Sequence, residues 1–495
     1  MSGRKICLCS CTIYEQQEIC GQQEDNRMNE TGIDAWRVER DKLGAMSVPK
    51  NALYGINTAR AAENFALDDR GVNPDLLTAI IQIKKAAAMT HRDLKVMERE
   101  KTDAIIAACD SLLESRDYSP FITNHLQGGA GTSTNMNANE VIANLALVLS
   151  GHQPGEYEYI SPLDDVNRSQ STNDVYPSAL RIAAIGLVRQ LADELSALQE
   201  ELQRRENEYD HVLKLGRTEL MDALPITVGQ EFGAYAQAIA RDRWRIYKVE
   251  ERLRQLNLGG TAVGTGSNAR KKYTFRVMEH LRDMTGFGLA IAEYPMDLTQ
   301  NNDVFTEVSG LLKSVAVNLM KISNDLRLMN MGPGGGLAEI TLAPMQQGST
   351  IMPGKNNPVI PEMATQVAIQ VMANDTAITF CAASGQLELN AFMPLIADRL
   401  LESLQLLING VRIFREKAIR TLKVNEENCR SHLEHSLVLV TALAPVVGYD
   451  QAAALAEESH GDMEKLKEII LERGLLSKER LEELLDYRNL TSYMK

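Results

Sequence analysis

Apolar residues recur along most of this chain at the spacing of one face of an α-helix, and that repeat narrows its possible folds more than any other feature. Between Val188 and Leu202 the pattern is Val188, Leu191, Leu195, Leu198, Leu202, with steps of 3, 4, 3 and 4. This is the a/d seam by which one helix packs on another. The same period predicts a helix from Pro74, where Asn73-Pro74-Asp75 supplies a cap, a proline at the first helical position and an acid in the first turn. Further helices are expected over about 96–113, 230–258, 305–331, 360–385 and 395–422, with Gly259-Gly260 and Gly332 ending two of them. A helix of about 27 residues spans about 40 Å at ~1.5 Å per residue, more than a compact domain needs. Helices of that length belong to a bundle, within one subunit or among several. Strand signals are confined to short pieces on the N-terminal side, such as Ala52-Leu53-Tyr54. The expected class is mainly α.

Charge excludes some functions. Fifty-two basic residues against 66 acidic ones give a net charge of −14 over 495 residues, which argues against a general grip on nucleic acid or anionic membrane. An anionic substrate must therefore be met by local charge. No apolar run approaches the ~20 residues that span a bilayer, and the longest, Leu437 to Val447, contains Thr441 and Pro445. The start, MSGRKICLCSC, lacks the apolar core of a secretory signal, so a cytoplasmic protein with no membrane or nucleic-acid partner is expected. Seven cysteines are too few for a disulfide scaffold. Cys7, Cys9, Cys11 and Cys20 crowd the start without a CxxC pair or a nearby histidine, so they read as part of an extension rather than a metal site. Met28 opens a segment that would serve as a natural beginning, and residues 1–27 are expected to be dispensable or to come from an upstream start. The organisation expected is a disordered extension over 1–32, a mixed domain over 33–171, a central long-helix domain over 172–425 and a small helical domain over 426–495.

Four polar segments interrupt the helical pattern: GGAGTSTNMN at 128–137, SQSTND at 169–174, GRTE at 216–219 and GSTIMPGKNNP at 348–358. Hydroxyls, amides and free backbone N–H groups at helix starts cradle carboxylate or phosphate oxygens, because the donors point at the anion and the helix dipole favours it. Arg217 and Lys355 add positive charge. Any one segment alone has the composition of a capped turn. The fourth has more: glycine, serine, proline and lysine within eight residues suggest a mobile loop carrying a base and a nearby cation. It is not a phosphate loop, since the order GxxxxGK[ST] is absent.

That fourth segment resembles the signature GSSxMPxKxN of the aspartase/fumarase superfamily, with Thr350 at the second serine. The other three are similar to the superfamily's remaining active-site regions, in the same order, and the similarity runs from about Leu43 to the C-terminus. GGAGTSTNMNANE, SQSTND and the terminal ILERGLLSKERLEELL resemble the aspartase branch more than the fumarases, which usually carry serine at Ala130 and glutamine at Ser133. The resemblance implies a three-domain fold with a long central helical bundle, and a homotetramer whose active sites each draw on three subunits. It implies reversible deamination of L-aspartate to fumarate and ammonia through an aci-carboxylate intermediate. Ser349 would be the general base that takes the Cβ proton, on a loop that closes over substrate. Lys355 and Asn357 would bind the carboxylate on which charge develops. Thr132, Ser171, Thr172, Asn173 and Thr218 would hold the substrate carboxylates and the leaving amino group, with Glu219 beside them. No redox or electron-sink cofactor is required and no metal ligands are assigned; magnesium enters only as an activator known from some aspartases. His432 and His435, three apart on a helix, read as a satisfied pair rather than ligands.

One position departs from the family pattern. Fumarases usually carry histidine at Glu219 and aspartases histidine or glutamine, and in fumarases that histidine pairs with a glutamate matching Glu362. Two close carboxylates do not both ionise cheaply, so Glu219 and Glu362 are expected to share a proton or one of them to face a cation. The alternatives are that Glu219 attracts the ammonium group, alters which substrate fits, or turns outward into solvent. Two other functions stay open: fumarate hydratase, and a non-catalytic helical scaffold of the same fold. Retention of Ser349, Lys355 and Asn357 speaks against the scaffold.

Overall fold

A computed structural model describes residues 35–485 apart from 350, 437, 439 and 461, together with Thr491. The N-terminal extension, its four cysteines and Met28 lie outside these residues. The chain divides into two compact units. The first comprises the described residues up to Leu180 plus Leu256–Thr299; the second comprises Arg181–Gln255 and the residues from Gln300 on. This division is discontinuous along the chain.

The first unit opens with an antiparallel hairpin, β1 (Trp36–Asp41) and β2 (Gly44–Pro49). Ala52-Leu53-Tyr54, expected as a strand, is instead a turn. The Arg37 guanidinium donates to the carbonyl oxygens of Pro49, Lys50, Ala52 and Tyr54 at 2.6–3.0 Å, which satisfies acceptors that a neighbouring strand would otherwise have to meet. Helix α1 (Ile56–Asn64) has its first amides capped by a distant carboxylate. Glu140, 1% exposed, accepts from the backbone N–H of Gly55, Asn57 and Thr58 at 2.8–3.1 Å and from the Thr58 hydroxyl at 2.6 Å. The positive end of a helix is where such a charge is best placed. Helix α2 (Pro74–Asp93) starts as its sequence requires, with Asn73 Oδ1 accepting the Asp75 N–H at 2.8 Å. It buries Leu76, Leu77, Ile80, Ile81 and Ile83 and packs on α3 (Arg99–Ser115), which in turn packs on α4 (Thr132–Leu149). Helix α5 (Thr172–Glu208) begins in this unit and continues in the second.

In the second unit the seam residues Val188, Leu191, Leu195, Leu198 and Leu202 are at most 1% exposed. The seam is thus buried by the chain itself. An antiparallel hairpin follows, β3 (Leu213–Thr218) and β4 (Met221–Thr227), in a region expected to lack strands. Its connection is the two-residue turn Glu219-Leu220, with φ of +54° and +66°, the left-handed pair that matches strand twist. Helix α6 (Val228–Leu253) then opens with a capping box: Thr227 Oγ1 accepts the Gln230 N–H and Gln230 Oε1 accepts the Thr227 N–H, both at 3.0 Å. Helices α7 (Asp303–Met329), α8 (Val359–Ala383) and α9 (Met393–Phe414) complete the long-helix set, with α8 packed against both α7 and α9. A shorter helix, α10 (Glu426–Glu434), packs on β3, and the helices between Val440 and Leu484 share a small apolar core around Leu443, Leu455, Leu466 and Ile470. No helix among the described residues is long and apolar enough to cross a membrane.

Asn73→Ala removes the α2 cap and is expected to lower stability by about 1 kcal/mol; a urea midpoint equal to that of the unaltered chain would show that the cap contributes nothing.

Candidate functional site

The first two polar segments belong to the first unit. Gly131 precedes α4 with φ +92°, and a Cβ there would strike the ring of Tyr176, so the approach of α4 to the start of α5 requires glycine. Thr132 is exposed in the first turn of α4, its hydroxyl donating to Gly129 O at 2.7 Å. At the start of α5 the Ser171 hydroxyl accepts the Asn173 N–H at 3.3 Å, and Asn173 Nδ2 donates to Ala262 O at 2.7 Å. Thr172 is buried, and its Oγ1 accepts from Asn135 Nδ2 at 3.1 Å. A hydroxyl whose oxygen already accepts keeps its own proton to donate, which suits an incoming carboxylate. Asn135 thereby joins the two segments. Asp174 anchors the second: wholly buried, it accepts the backbone N–H groups of Ser171, Gly259 and Thr261 at 2.9–3.0 Å. Burial pushes its carboxyl up to about 6 in spite of those donors.

The third and fourth segments belong to the second unit. Arg217 does not reach toward a ligand: its guanidinium donates to Glu339 Oε1 at 2.7 Å. Glu339 is 1% exposed and also meets Lys214 Nζ at 2.9 Å and His432 Nδ1 at 3.2 Å, while Lys214 pairs in addition with Glu231 at 2.8 Å. Burial works against the Glu339 charge, but Lys214 and Arg217 outweigh it and hold the carboxyl below the usual range. Burial likewise opposes the Lys214 ammonium, and Glu231 with Glu339 holds it above its ordinary value. This cluster ties β3 to Glu339 in the segment after α7, to Glu231 at the start of α6 and to His432 of α10. The tip of the hairpin carries Thr218 and Glu219 into the open beside exposed Leu220, Met221 and Leu224. His435 Nδ1 lies 2.7 Å from the Ser431 carbonyl.

In the fourth segment the Ser349 side-chain oxygen accepts two main-chain N–H groups, from Ile351 at 3.2 Å and Met352 at 2.9 Å. An oxygen held this way is stabilised as an anion. A Cβ on Gly348 would overlap the Lys355 carbonyl oxygen, so the two ends of the loop touch. Lys355 and Asn357 line a cavity of about 800 Å³ together with Arg327, Asn330, Glu362 and Asn425. Glu362 stands in the first turn of α8; Glu219 is not among the residues lining that cavity. Among the described residues no group of three or more His, Cys, Asp or Glu side chains is arranged to hold a metal ion.

The sequence-predicted residues therefore fall into three groups: Thr132, Ser171, Thr172 and Asn173 at two helix starts, Thr218 and Glu219 on a hairpin tip, and Ser349, Lys355 and Asn357 on a loop and cavity wall. Asn135 and Asp174 fell inside the polar segments without a role assigned, and Asn167, Glu339 and Lys84, which support those positions from behind, were not singled out. Lys84 left a signal, since it falls in the apolar phase of its helix. Glu339 left none.

A family profile described as lyase matches residues 44–373, and one described as the fumarase C C-terminus matches residues 439–492. The chain is 44% identical over 455 residues to an aspartate ammonia-lyase of Bacillus sp, covering 92% of this chain and 97% of that one. It is 41% identical to the aspartate ammonia-lyase of Escherichia coli K12, covering 92% and 96%. Among solved structures, a fumarate lyase:delta crystallin from Brucella melitensis superposes with a TM-score of 0.89 at 43% identity, covering 92% of this chain and all of that one. A class II fumarase from Schistosoma mansoni superposes with a TM-score of 0.88 at 32% identity, covering 93% of this chain and all of that one.

Glu339→Gln strips the charge from a buried cluster and is expected to cost about 3 kcal/mol at pH 7. Because the native carboxyl is held low, the deficit is full above the unfolded value of about 4.3 and shrinks as pH falls through the native one. Urea unfolding at pH 7 and pH 4 checks this; an equal deficit at both would contradict it.

Proposed function

The chain belongs to the lyase family, within the aspartase/fumarase superfamily, and from that premise we propose that it is an aspartate ammonia-lyase, converting L-aspartate reversibly to fumarate and ammonia. The observation that carries the mechanism is the Ser349 oxygen, held by the N–H groups of Ile351 and Met352 on the loop whose far end presents Lys355 and Asn357. The C3 hydrogen of aspartate is very weakly acidic, so the base must be strong and the charge it creates must be met as it forms. Ser349 as alkoxide takes that proton. The electron pair passes into the adjacent carboxylate, giving the aci-carboxylate, which Lys355 and Asn357 stabilise. The pair then returns to form the C2–C3 double bond while the C–N bond breaks, its electrons leaving with nitrogen as neutral ammonia. Thr132, Ser171, Thr172, Asn173 and Thr218 hold the carboxylates and the amino group. The elimination is redox-neutral, so no redox or electron-sink cofactor enters it; magnesium enters only as an activator.

A cytoplasmic homotetramer with sites shared among three subunits is the assembly that the family resemblance implies, and exposed apolar surface supports association of some kind. Helix α8 carries apolar residues on its outer face as well as its inner one: Ala364, Ala368, Val371 and Ile378 are buried, while Ile369 and Phe380 are 53% and 71% exposed. A helix of that kind belongs in an interior. The hairpin tip makes the same point, with Leu220 and Met221 exposed beside two non-glycine residues at positive φ, a conformation that costs about 1 kcal/mol or more per residue and is held where surroundings enforce it. Seated in a neighbouring subunit, the tip would deliver Thr218 and Glu219 to the substrate, with Glu219 sharing a proton with Glu362 of that assembly.

The test is an absorbance assay for fumarate with purified protein and L-aspartate. Ser349→Ala is expected to lower kcat by about 10²–10⁴-fold; full activity in the variant would overturn the base assignment, and hydration of fumarate without amination would transfer the chain to the fumarases. Glu219→Gln is expected to displace the pH profile of kcat/KM, and kinetics for aspartate that are unchanged across pH would remove Glu219 from the chemistry.

A further inference from the structure

Lys84 lies in phase with the apolar stripe of α2: Ile80, Ile81, Ala87 and Ala88, three and four positions away, are all buried, and Lys84 itself is 0% exposed. An ammonium group taken out of water costs several kcal/mol unless it is paired. Among the described residues no carboxylate lies within ion-pair distance of it. Its Nζ donates instead to Asn167 Oδ1 at 3.0 Å. That same oxygen accepts from Asn135 Nδ2 at 3.2 Å, and Asn135 Nδ2 also reaches Thr172 Oγ1 at 3.1 Å. Two amides therefore separate a buried cation from a hydroxyl at the start of α5, and every group on the path lies within the first unit.

We propose that Lys84 is a positioning residue for the ammonia-lyase reaction: through Asn167 and Asn135 it orients the Thr172 hydroxyl toward a substrate carboxylate and makes that cradle attractive to anions. The inference rests on the substrate role given to Thr172 above. Keeping a long cationic side chain on an apolar helix face has no packing rationale, since a methionine would fill the same space. The expense becomes intelligible if the charge acts on something bound beyond the amides. Asn167 is well suited to transmit it, because its oxygen takes the Lys84 proton donor while its Nδ2 donates to Gln170 O at 3.3 Å, fixing the amide's orientation.

The charge also switches in a useful range. Burial pushes the Lys84 ammonium down to about 7, opposed by the charge of Asp174 on α5 and, more weakly, by Cys109 on α3. His91, two turns further along α2, is pushed down to about 4 by burial and by Arg168, so it stays neutral over the same interval. Because the native value of Lys84 is lowered, its positive charge is present below about pH 7 and lost above it.

The experiment is steady-state release of fumarate from L-aspartate by the full-length protein between pH 6 and 9, for the unaltered chain, Lys84→Met and Asn167→Leu. At pH 6.5 both variants are expected to raise KM for aspartate by about tenfold, equivalent to about 1.4 kcal/mol, with kcat within about twofold. For Lys84→Met the gap should close above pH 8, where the unaltered Lys84 has lost its charge. Unaltered KM in both variants at every pH would overturn the proposal, as would a fall in kcat with KM untouched. Circular dichroism shows which variants are folded, and Asn167→Leu, which leaves the lysine in place, carries the test if Lys84→Met is not. An unaltered chain that is inactive on L-aspartate would overturn the reading beneath the proposal too, whereas an active chain with indifferent variants would overturn this inference alone.

Discussion

A carboxylate removed from water has to be surrounded by donors, and in this protein two such carboxylates, Asp174 and Glu339, take some of theirs from the polar segments. Asp174 gathers the amides of Ser171, Gly259 and Thr261, Glu140 gathers the first amides of α1, and Glu339 gathers Arg217 and Lys214 of β3. In each case a connection or an element end is fixed by one buried negative charge. Such an anchor is directional where apolar packing is not, so it sets the orientation of the neighbouring hydroxyls as well as their position. Losing any of these carboxylates would leave several donors buried without an acceptor at once, a larger penalty than one missing hydrogen bond.

Much of the architecture was legible from periodicity. The cap at Asn73 and the starts of the long helices at Val228, Asp303, Val359 and Met393 follow the 3.6-residue repeat to within two positions, but the helix expected to reach 258 ends at Leu253 and the one expected to reach 422 ends at Phe414, followed by a wider turn over Arg415–Ile419. The strands were not. The hairpin over Leu213–Thr227 turns on Glu219-Leu220, a pair that carries none of the asparagine or glycine by which such turns are recognised, and its strands carry Gly216 and Pro225. Ala52–Tyr54 failed in the opposite sense, because a single arginine satisfies carbonyl oxygens that a strand would have offered to a neighbour. Neither outcome depends on propensity; both are decided by contacts distant in sequence.

The site was legible as composition and not as support. Four polar islands stand out where an apolar face should continue, and their order carries the family resemblance. The groups behind them are single residues inside otherwise regular helices or in short connections, such as Lys84 among isoleucines and alanines. A lone polar residue in an apolar stripe reads as an irregularity until three-dimensional neighbours are known. Arg217 shows the converse: a conspicuous charge in a functional segment, bound to Glu339 and therefore part of the framework.

The turn at Ser349 has an evolutionary corollary. The two groups that grip its oxygen belong to the main chain, so these hydrogen bonds are made by the backbone of Ile351 and Met352 and not by their side chains. Proline alone is barred there, since it would delete the N–H. Pro353 follows immediately, and its missing N–H takes away neither of the two donors to Ser349.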